Sequence, residues 1–262
     1  MSFAVQAHRS DSSDRDLIQD AIRHYFLAGD TGSSAELRQA FHPGAMMFWV
    51  SSDGTLQSRS QPQWRQLLDQ SAPPEPAVRR EIQWIDLSGN MAVAGVLSQF
   101  AQYHFRDYVL LARTGGRWQI VTKVFQRIEG PPRDSSAAAV DERRAEVLEL
   151  VARVFRATDT YDADLLTRSY HGRATRLEVQ DDQLVTVALP EWQARWREKG
   201  VAGEVSTAAR SIAKLESCGT AAVVELVHDN GSFPLTEYAL ALKIEGVWKI
   251  MALTSAPHGR LA

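Results

Sequence analysis

The stretch Gly89–Phe125, GNMAVAGVLSQFAQYHFRDYVLLARTGGRWQIVTKVF, returns in altered form from Gly219 as GTAAVVELVHDNGSFPLTEYALALKIEGVWKIMALT. Gly89 matches Gly219, Asp107 matches Glu237, Tyr108 matches Tyr238, Gly116 matches Gly246, Trp118 matches Trp248 and Ile120 matches Ile250, each pair 130 positions apart (219 − 89). A constant offset over six matches is not noise of composition. A repeat of this length is a duplicated domain and not a solenoid, whose units run at about 20–50 residues.

The same stretch reads as sheet. Tyr108, Leu110 and Ala112 alternate with Val109, Leu111 and Arg113, and Gly115-Gly116 turns the chain into Trp118–Phe125. Both faces of these strands are largely apolar, so each face needs a cover, either helices or a second sheet.

At 262 residues the chain has room for two domains of ordinary size, each with its own core. With 29 Lys+Arg against 32 Asp+Glu the formal charge is −3, which supplies no electrostatic attraction for nucleic acid or an anionic membrane. Cys218 is the single cysteine, so no internal disulfide can form, and no His/Cys spacing suggests a metal site. The first residues, MSFAVQAHRSDSSD, lack a basic start followed by an apolar run, and no stretch approaches the roughly 18 apolar residues of a membrane span. The expectation is a soluble cytoplasmic protein without a cofactor.

Residues 1–13 are polar and read as a flexible tail. From Asp14, placed as an N-cap, Leu17, Ile18, Ala21, Ile22, Tyr25 and Phe26 make one helical stripe. Ala35–Phe41 reads as a short helix stopped by His42-Pro43-Gly44, Ala45–Val50 as a strand, and Pro62 as the start of a helix carrying Trp64, Leu67 and Leu68. Gly130-Pro131-Pro132 opens a linker over 129–140, between a first domain at 14–128 and a second at 141–258. The second copy repeats the order: Val147, Val151, Val154 and Phe155 answer Ile18, Ile22, Tyr25 and Phe26, and Pro190-Glu191-Trp192 answers Pro62-Gln63-Trp64.

This order, with AIRHYF, AELRQAFHPGAMMFWV, IDLSGNMAVAGV and RDYVLLARTGGRWQIVTKVF, resembles the nuclear transport factor 2-like superfamily, and within it the SnoaL-like and "putative lumazine-binding" branch. The resemblance covers about Asp14–Arg127 and Asp141–Pro257. It implies an α+β fold of two tandem cones, each a curved antiparallel sheet wrapped around a pocket closed by about three helices. Members commonly dimerise through the open sheet face, so two linked copies imply an intramolecular pseudo-dimer or self-association through sheet faces. The superfamily holds isomerases, dehydratases, cyclases and epoxide hydrolases alongside non-enzymatic members, and fold does not carry function.

Isomerase-type members use a helix tyrosine and a protonated strand acid to hydrogen-bond a developing oxyanion; Tyr25 and Asp107 match those positions. A buried acid of that kind stays protonated because burial disfavours its charge. The base position of the isomerases falls on Trp49, which cannot take a proton. In the second copy Glu178 stands at the position of Trp49, Glu237 at that of Asp107, and Val154 at that of Tyr25. Two carboxyl groups in one pocket would push their pKa values apart, giving one acid and one base. His228, read as close to an exposed hairpin tip, would add a third titratable group. Trp49 and Phe48 are expected to line a pocket for a small apolar or aromatic molecule. Trp64 and Trp192 are expected to close the cones, and Trp118 and Trp248 to pack beneath helices. Two function classes remain open at this point: a small-molecule pocket protein, with acid–base chemistry if catalytic, and a non-catalytic binding or assembly module.

Overall fold

The computed structural model describes residues 3–72, 74–132, 137–229, 231 and 234–257. The centre of the expected linker (133–136) and the turn residue Asn230 lie outside them. The first repeat runs α1 (Phe3–Thr31), α2 (Ser34–Ala40), β1 (Phe41–Val50), β2 (Leu56–Ser60), α3 (Gln61–Gln70), β3 (Arg79–Ser88), β4 (Met91–Gln99), β5 (Tyr103–Thr114) and β6 (Arg117–Glu129). The second runs α4 (Ala137–Thr160), α5 (Ala163–Ser169), β7 (Tyr170–Gln180), β8 (Gln183–Ala188), α6 (Leu189–Val201), β9 (Ala209–Cys218), β10 (Ala221–Asp229), β11 (Leu235–Ile244) and β12 (Val247–Pro257). Each repeat forms a six-stranded sheet of the same order, β2-β1-β6-β5-β4-β3 and β8-β7-β12-β11-β10-β9. The sheets are antiparallel but for the pairs β1–β6 and β12–β7, which are parallel.

Local chemistry explains most boundaries. Ser60 caps α3 with a full capping box to Gln63 and Pro62 sits in its first turn, while Ser33 and Asp162 cap α2 and α5. Two boundaries differ from the sequence reading. Strand β1 starts at Phe41, four residues before Ala45, and absorbs His42-Pro43-Gly44 as an irregularity in its pairing with β6. Helix α1 starts at Phe3, through the stretch read as a tail, so Asp14 is not an N-cap. Its carboxylate instead accepts from Trp118 Nε1 at 2.9 Å and pairs with Arg113 at 3.0 Å. The second repeat makes the same tie with Glu146, Trp248 and Lys243. Trp118 and Trp248 are therefore buried under the first helix of each repeat, as their recurrence predicts.

The two apolar faces of each sheet are covered differently. One face packs on its own helices, giving two separate cores, one around Ile18, Ile22, Leu37, Phe41 and Ile120, the other around Val147, Leu150, Leu166, Trp192 and Ile250. The other faces pack on each other: Val93, Tyr108, Leu110 and Val121 meet Val223, Tyr238, Leu240 and Met251 in a third core. Polar contacts at its edge obey a two-fold relation. Trp84 Nε1 donates to Glu216 at 2.8 Å while Lys214 Nζ donates to Asp86 at 2.8 Å, and Lys214 and Glu216 are the 130-offset counterparts of Trp84 and Asp86. Each residue type position thus contacts the counterpart of its partner, the signature of an isologous interface, here closed within one chain. The sheet faces expected to serve self-association cover each other.

Gly95 on β4 sits where this interface is tightest. A Cβ there would lie 2.6 Å from the Trp84 indole, whose ring is wedged between the glycine and Lys214. Gly95→Ala should cost about 1–3 kcal/mol through displacement of Trp84. Urea unfolding monitored by circular dichroism reads that loss directly, and a change within about 0.5 kcal/mol would mean the indole moves without loss.

A β-bulge in the middle of each long hairpin decides the interior. The β5–β6 register slips between Leu110 and Leu111, leaving Val121 as the extra residue, and β11–β12 slips identically at Met251. Trp118 and Ile120 face the helices before the slip; after it Lys123 and Phe125 do, where unbroken alternation would send them to the opposite face.

Candidate functional site

The first cone holds an open cavity of about 1070 Å³, just above the ~300–1,000 Å³ range typical of ligand pockets. Its walls carry aromatic rings, with Arg59, Arg80, Arg127, Glu75 and Glu129 also on the lining. Trp49 from β1 stacks on Phe125 from β6 at 5.2 Å between centroids, and Phe105 from β5 meets Phe125 edge-on at 5.7 Å. Trp64 from α3 closes one side against Tyr25 and Phe41, at 5.9 and 5.3 Å.

At the end of this box lies a buried polar chain that links three elements. Lys123 Nζ donates to Tyr25 Oη at 2.5 Å, and Tyr25 donates to Asp107 Oδ2 at 2.6 Å. Lys123 Nζ also stands 3.2 Å from Asp107 Oδ2. The Lys123 side chain is 7% exposed and that of Asp107 fully buried, so this is an ion pair inside the protein. The ammonium also lies over the rings of Phe125 (4.4 Å) and Tyr25 (4.6 Å), whose π faces replace part of its lost hydration. Burial holds the Lys123 ammonium below the ordinary lysine range, with Asp107 pulling the other way. Burial, then the Asp107 charge, holds the Tyr25 phenol well above its ordinary value. Asp107 Oδ1 is buried without a hydrogen-bond partner.

Tyr25, Trp49 and Trp64 line this cavity, and Asp107 is tied to it through Tyr25. Lys123 is the residue sequence reasoning missed. Its signal was a lone lysine in the apolar run Ile120–Phe125 at the position where the second copy has Leu253, a core residue. Phe48, expected beside Trp49, points the other way. Neighbours on a strand alternate, and Phe48 is buried in the interface between the sheets.

At the matching place of the second cone the described side chains pack on one another. Trp192 packs edge-on against Tyr170 at 4.9 Å and Trp196 at 5.6 Å, inside the core rather than across a pocket. Val154 and Leu253 stand where Tyr25 and Lys123 stand in the first cone. Each of the two carboxylates has a partner of its own. Glu178 is held by Arg176 at 2.5 Å and Gln180 at 2.9 Å, and Arg176 also reaches Ser255 at 3.0 Å. Glu237 Oε2 lies 2.8 Å from His228 Nε2, a close electrostatic contact off the line of a good hydrogen bond.

His228, read as exposed, is 12% exposed at its side chain because Arg210 draws it inward. Arg210 Nε donates to His228 Nδ1 at 3.1 Å, and the same guanidinium pairs with Asp159 at the end of α4. An arginine cannot accept, so Nδ1 offers a lone pair and the ring proton is on Nε2, toward Glu237. Burial alone would raise the Glu237 carboxyl; the His228 contact with the Arg176 and Arg210 charges holds it below the ordinary value. This chain ties α4, β9, β10 and β11 together. Among the described residues no group of three or more His, Cys, Asp or Glu is placed to hold a metal ion, and no helix is long and apolar enough to cross a membrane.

Two cones on a shared sheet interface define a duplicated cone-fold protein, with an elaborated cavity in the first cone. The family profile described as "Putative lumazine-binding" matches residues 13–126 and again 142–254, and the chain belongs to that family. Among solved structures, the chain is similar to a nuclear transport factor 2-like protein of unknown function from Silicibacter pomeroyi (19% identity, 45% of this chain and 98% of that one, TM-score 0.40). A second such protein, from Shewanella baltica, shares 22% identity over 46% of this chain and 97% of its own, with a TM-score of 0.41. A third, from Methylobacillus flagellatus, shares 18% over 50% of this chain and all of its own, with a TM-score of 0.40. No functionally curated protein matches the chain.

Proposed function

We propose that the protein binds a small, flat, largely apolar molecule in the first cone, and that the second cone is its structural support. The observation that carries this reading is the aromatic cavity ending on the Lys123–Tyr25–Asp107 chain. Its walls favour a π-surface, since offset-stacked and edge-on aromatic contacts add to simple burial. Its polar end fixes orientation. If the site turns a substrate over, the chemistry is proton transfer without a cofactor, and the acting groups are Lys123, Tyr25 and Asp107, with Glu178 and Glu237 outside this cavity. The pair Tyr25 and Asp107 does not act as two separate donors to an oxyanion here, because Tyr25 spends its proton on Asp107; Lys123 supplies the positive end instead. The alternative of an assembly module loses its surface, since the sheet faces are consumed inside the chain.

A thermal-shift screen of small aromatic, terpenoid and polyketide-like compounds tests the reading. A compound at one hundred times its Kd stabilises by about 2.7 kcal/mol, roughly a 5–10 °C rise in Tm for a chain of this size. Trp49→Ala removes the stacking wall and should weaken any hit by about tenfold. A panel that shifts nothing, or a hit indifferent to Trp49→Ala, would overturn the assignment of the site.

A further inference from the structure

We infer that Lys123 forms a reversible imine with an aromatic aldehyde or ketone seated in the first cone. The inference rests on the pocket reading above and adds a substrate class and a covalent step to it. Three observations carry it. Lys123 lines the cavity and presents its Nζ inside a box of aromatic rings. Its charge is already balanced by Asp107 at 3.2 Å, so a neutral carbonyl compound can approach Nζ without upsetting the charge balance of the pair. The hydrogen bonds run in one direction, from Nζ to Tyr25 Oη and from Tyr25 to Asp107 Oδ2, which is a path for the proton an amine must lose before it can attack.

The step balances without any oxidant or reductant. One ammonium proton moves to Tyr25 as the Tyr25 proton moves to Asp107, and the ion pair becomes a neutral amine beside a neutral acid. The proton arrives on Asp107 Oδ2, the atom that already accepts from Tyr25, and the bond persists with its direction reversed. The Nζ lone pair then adds to the carbonyl carbon, the C=O π pair moves to oxygen, and an N–H proton passes to that oxygen through Tyr25, giving a carbinolamine. The second N–H proton follows as the C–O bond breaks and water leaves, forming C=N. The proton on Asp107 returns to the imine nitrogen, so an iminium–carboxylate pair replaces the ammonium–carboxylate pair. The other four lysines, at 199, 214, 243 and 249, lie outside this box; Lys199, Lys214 and Lys243 pair with surface carboxylates, and Lys249 donates to the Arg168 carbonyl.

The experiment incubates the full chain with 6-methoxy-2-naphthaldehyde and sodium cyanoborohydride, digests it and maps the adducts by mass spectrometry. In parallel, binding of 2-naphthol, a flat aromatic without a carbonyl, is measured by equilibrium dialysis. The expected result is a saturable adduct on Lys123, heavier by the aldehyde less one oxygen, formed at least about tenfold faster than on any other lysine. Lys123→Arg should abolish it, and Tyr25→Phe should slow it by about tenfold or more through loss of the proton path. The map of the unaltered chain decides even if a variant fails to fold. Naphthol bound with aldehyde adducts spread evenly over the lysines, or with none, overturns the imine and leaves the pocket standing. Neither compound bound removes the pocket reading, and the imine with it.

Discussion

Replacing Asp107 by leucine is expected to cost the fold about 3–5 kcal/mol, the penalty for stripping a buried charge of its partner. The side chain that suffers is Lys123, 7% exposed and boxed by Tyr25 and Phe125. Tyr25 loses its acceptor at the same stroke. The double variant Asp107→Leu, Lys123→Met should recover most of the loss, because an apolar pair of similar volume needs no partner. In the second cone Val154 and Leu253 occupy the positions of Tyr25 and Lys123 within the core, and Glu237, at the position of Asp107, finds its partner in His228. Urea denaturation of the two single variants and the double gives the coupling energy from a thermodynamic cycle.

The same variant has a pH signature whose sign is fixed. Burial depresses the Lys123 pKa in the folded chain, and loss of Asp107 removes the opposing pull. Between that depressed value and the unfolded lysine value of about 10.4, the unfolded chain holds more protons, so stability rises with pH. The deficit of Asp107→Leu should therefore shrink from pH 7 toward pH 10. A cost under about 1 kcal/mol at neutral pH, with no pH slope, would mean that Lys123 is neutral in the native state even with Asp107 present.

The fold was legible because duplication repeats its own evidence. The 130-residue offset separated signal from chance, and two apolar faces per strand demanded two covers, which proved to be helices on one side and the sister sheet on the other. The site was legible only in part, and the reasons are local. Tyr25, Trp49 and Trp64 follow regular helical or strand periodicity and fall in the cavity. Phe48 was misplaced against a rule already visible in the sequence, since two adjacent strand residues cannot face one pocket. Lys123 was hidden by something sequence does not display, a one-residue bulge at Val121 that inverts the alternation after it. His228 was misjudged because its burial depends on Arg210, which belongs to the neighbouring strand and not to its own hairpin turn.

Alkaline pH should unfold this protein in one steep step. Tyr25, Tyr108, Tyr170 and Tyr238 are all buried, and burial is the first cause that raises each phenol above its ordinary value. Neighbouring carboxylates add to it, Asp107 for Tyr25, Glu216 for Tyr108, Glu237 for Tyr170, and Glu225 with Asp86 for Tyr238. For a group whose pKa is raised by folding, the stabilisation is complete below the unfolded value, about 10 for tyrosine, and drains away as pH climbs above it. Each such phenol removes about 1.4 kcal/mol per pH unit in that window. Four acting together remove about 5–6 kcal/mol per unit, against a total stability of roughly 5–15 kcal/mol. Lys123 does not offset this, because its contribution stops growing once the unfolded lysine has titrated near pH 10.4. The tyrosinate absorbance of four of the six tyrosines should therefore appear together with the change in circular dichroism, between about pH 11 and 12.5. Tyr238→Phe, which keeps the ring in the interface between the sheets, should lower the slope by about a quarter. An absorbance rise worth more than two tyrosines ahead of any loss of secondary structure would show that hydroxide reaches the buried rings in the folded chain.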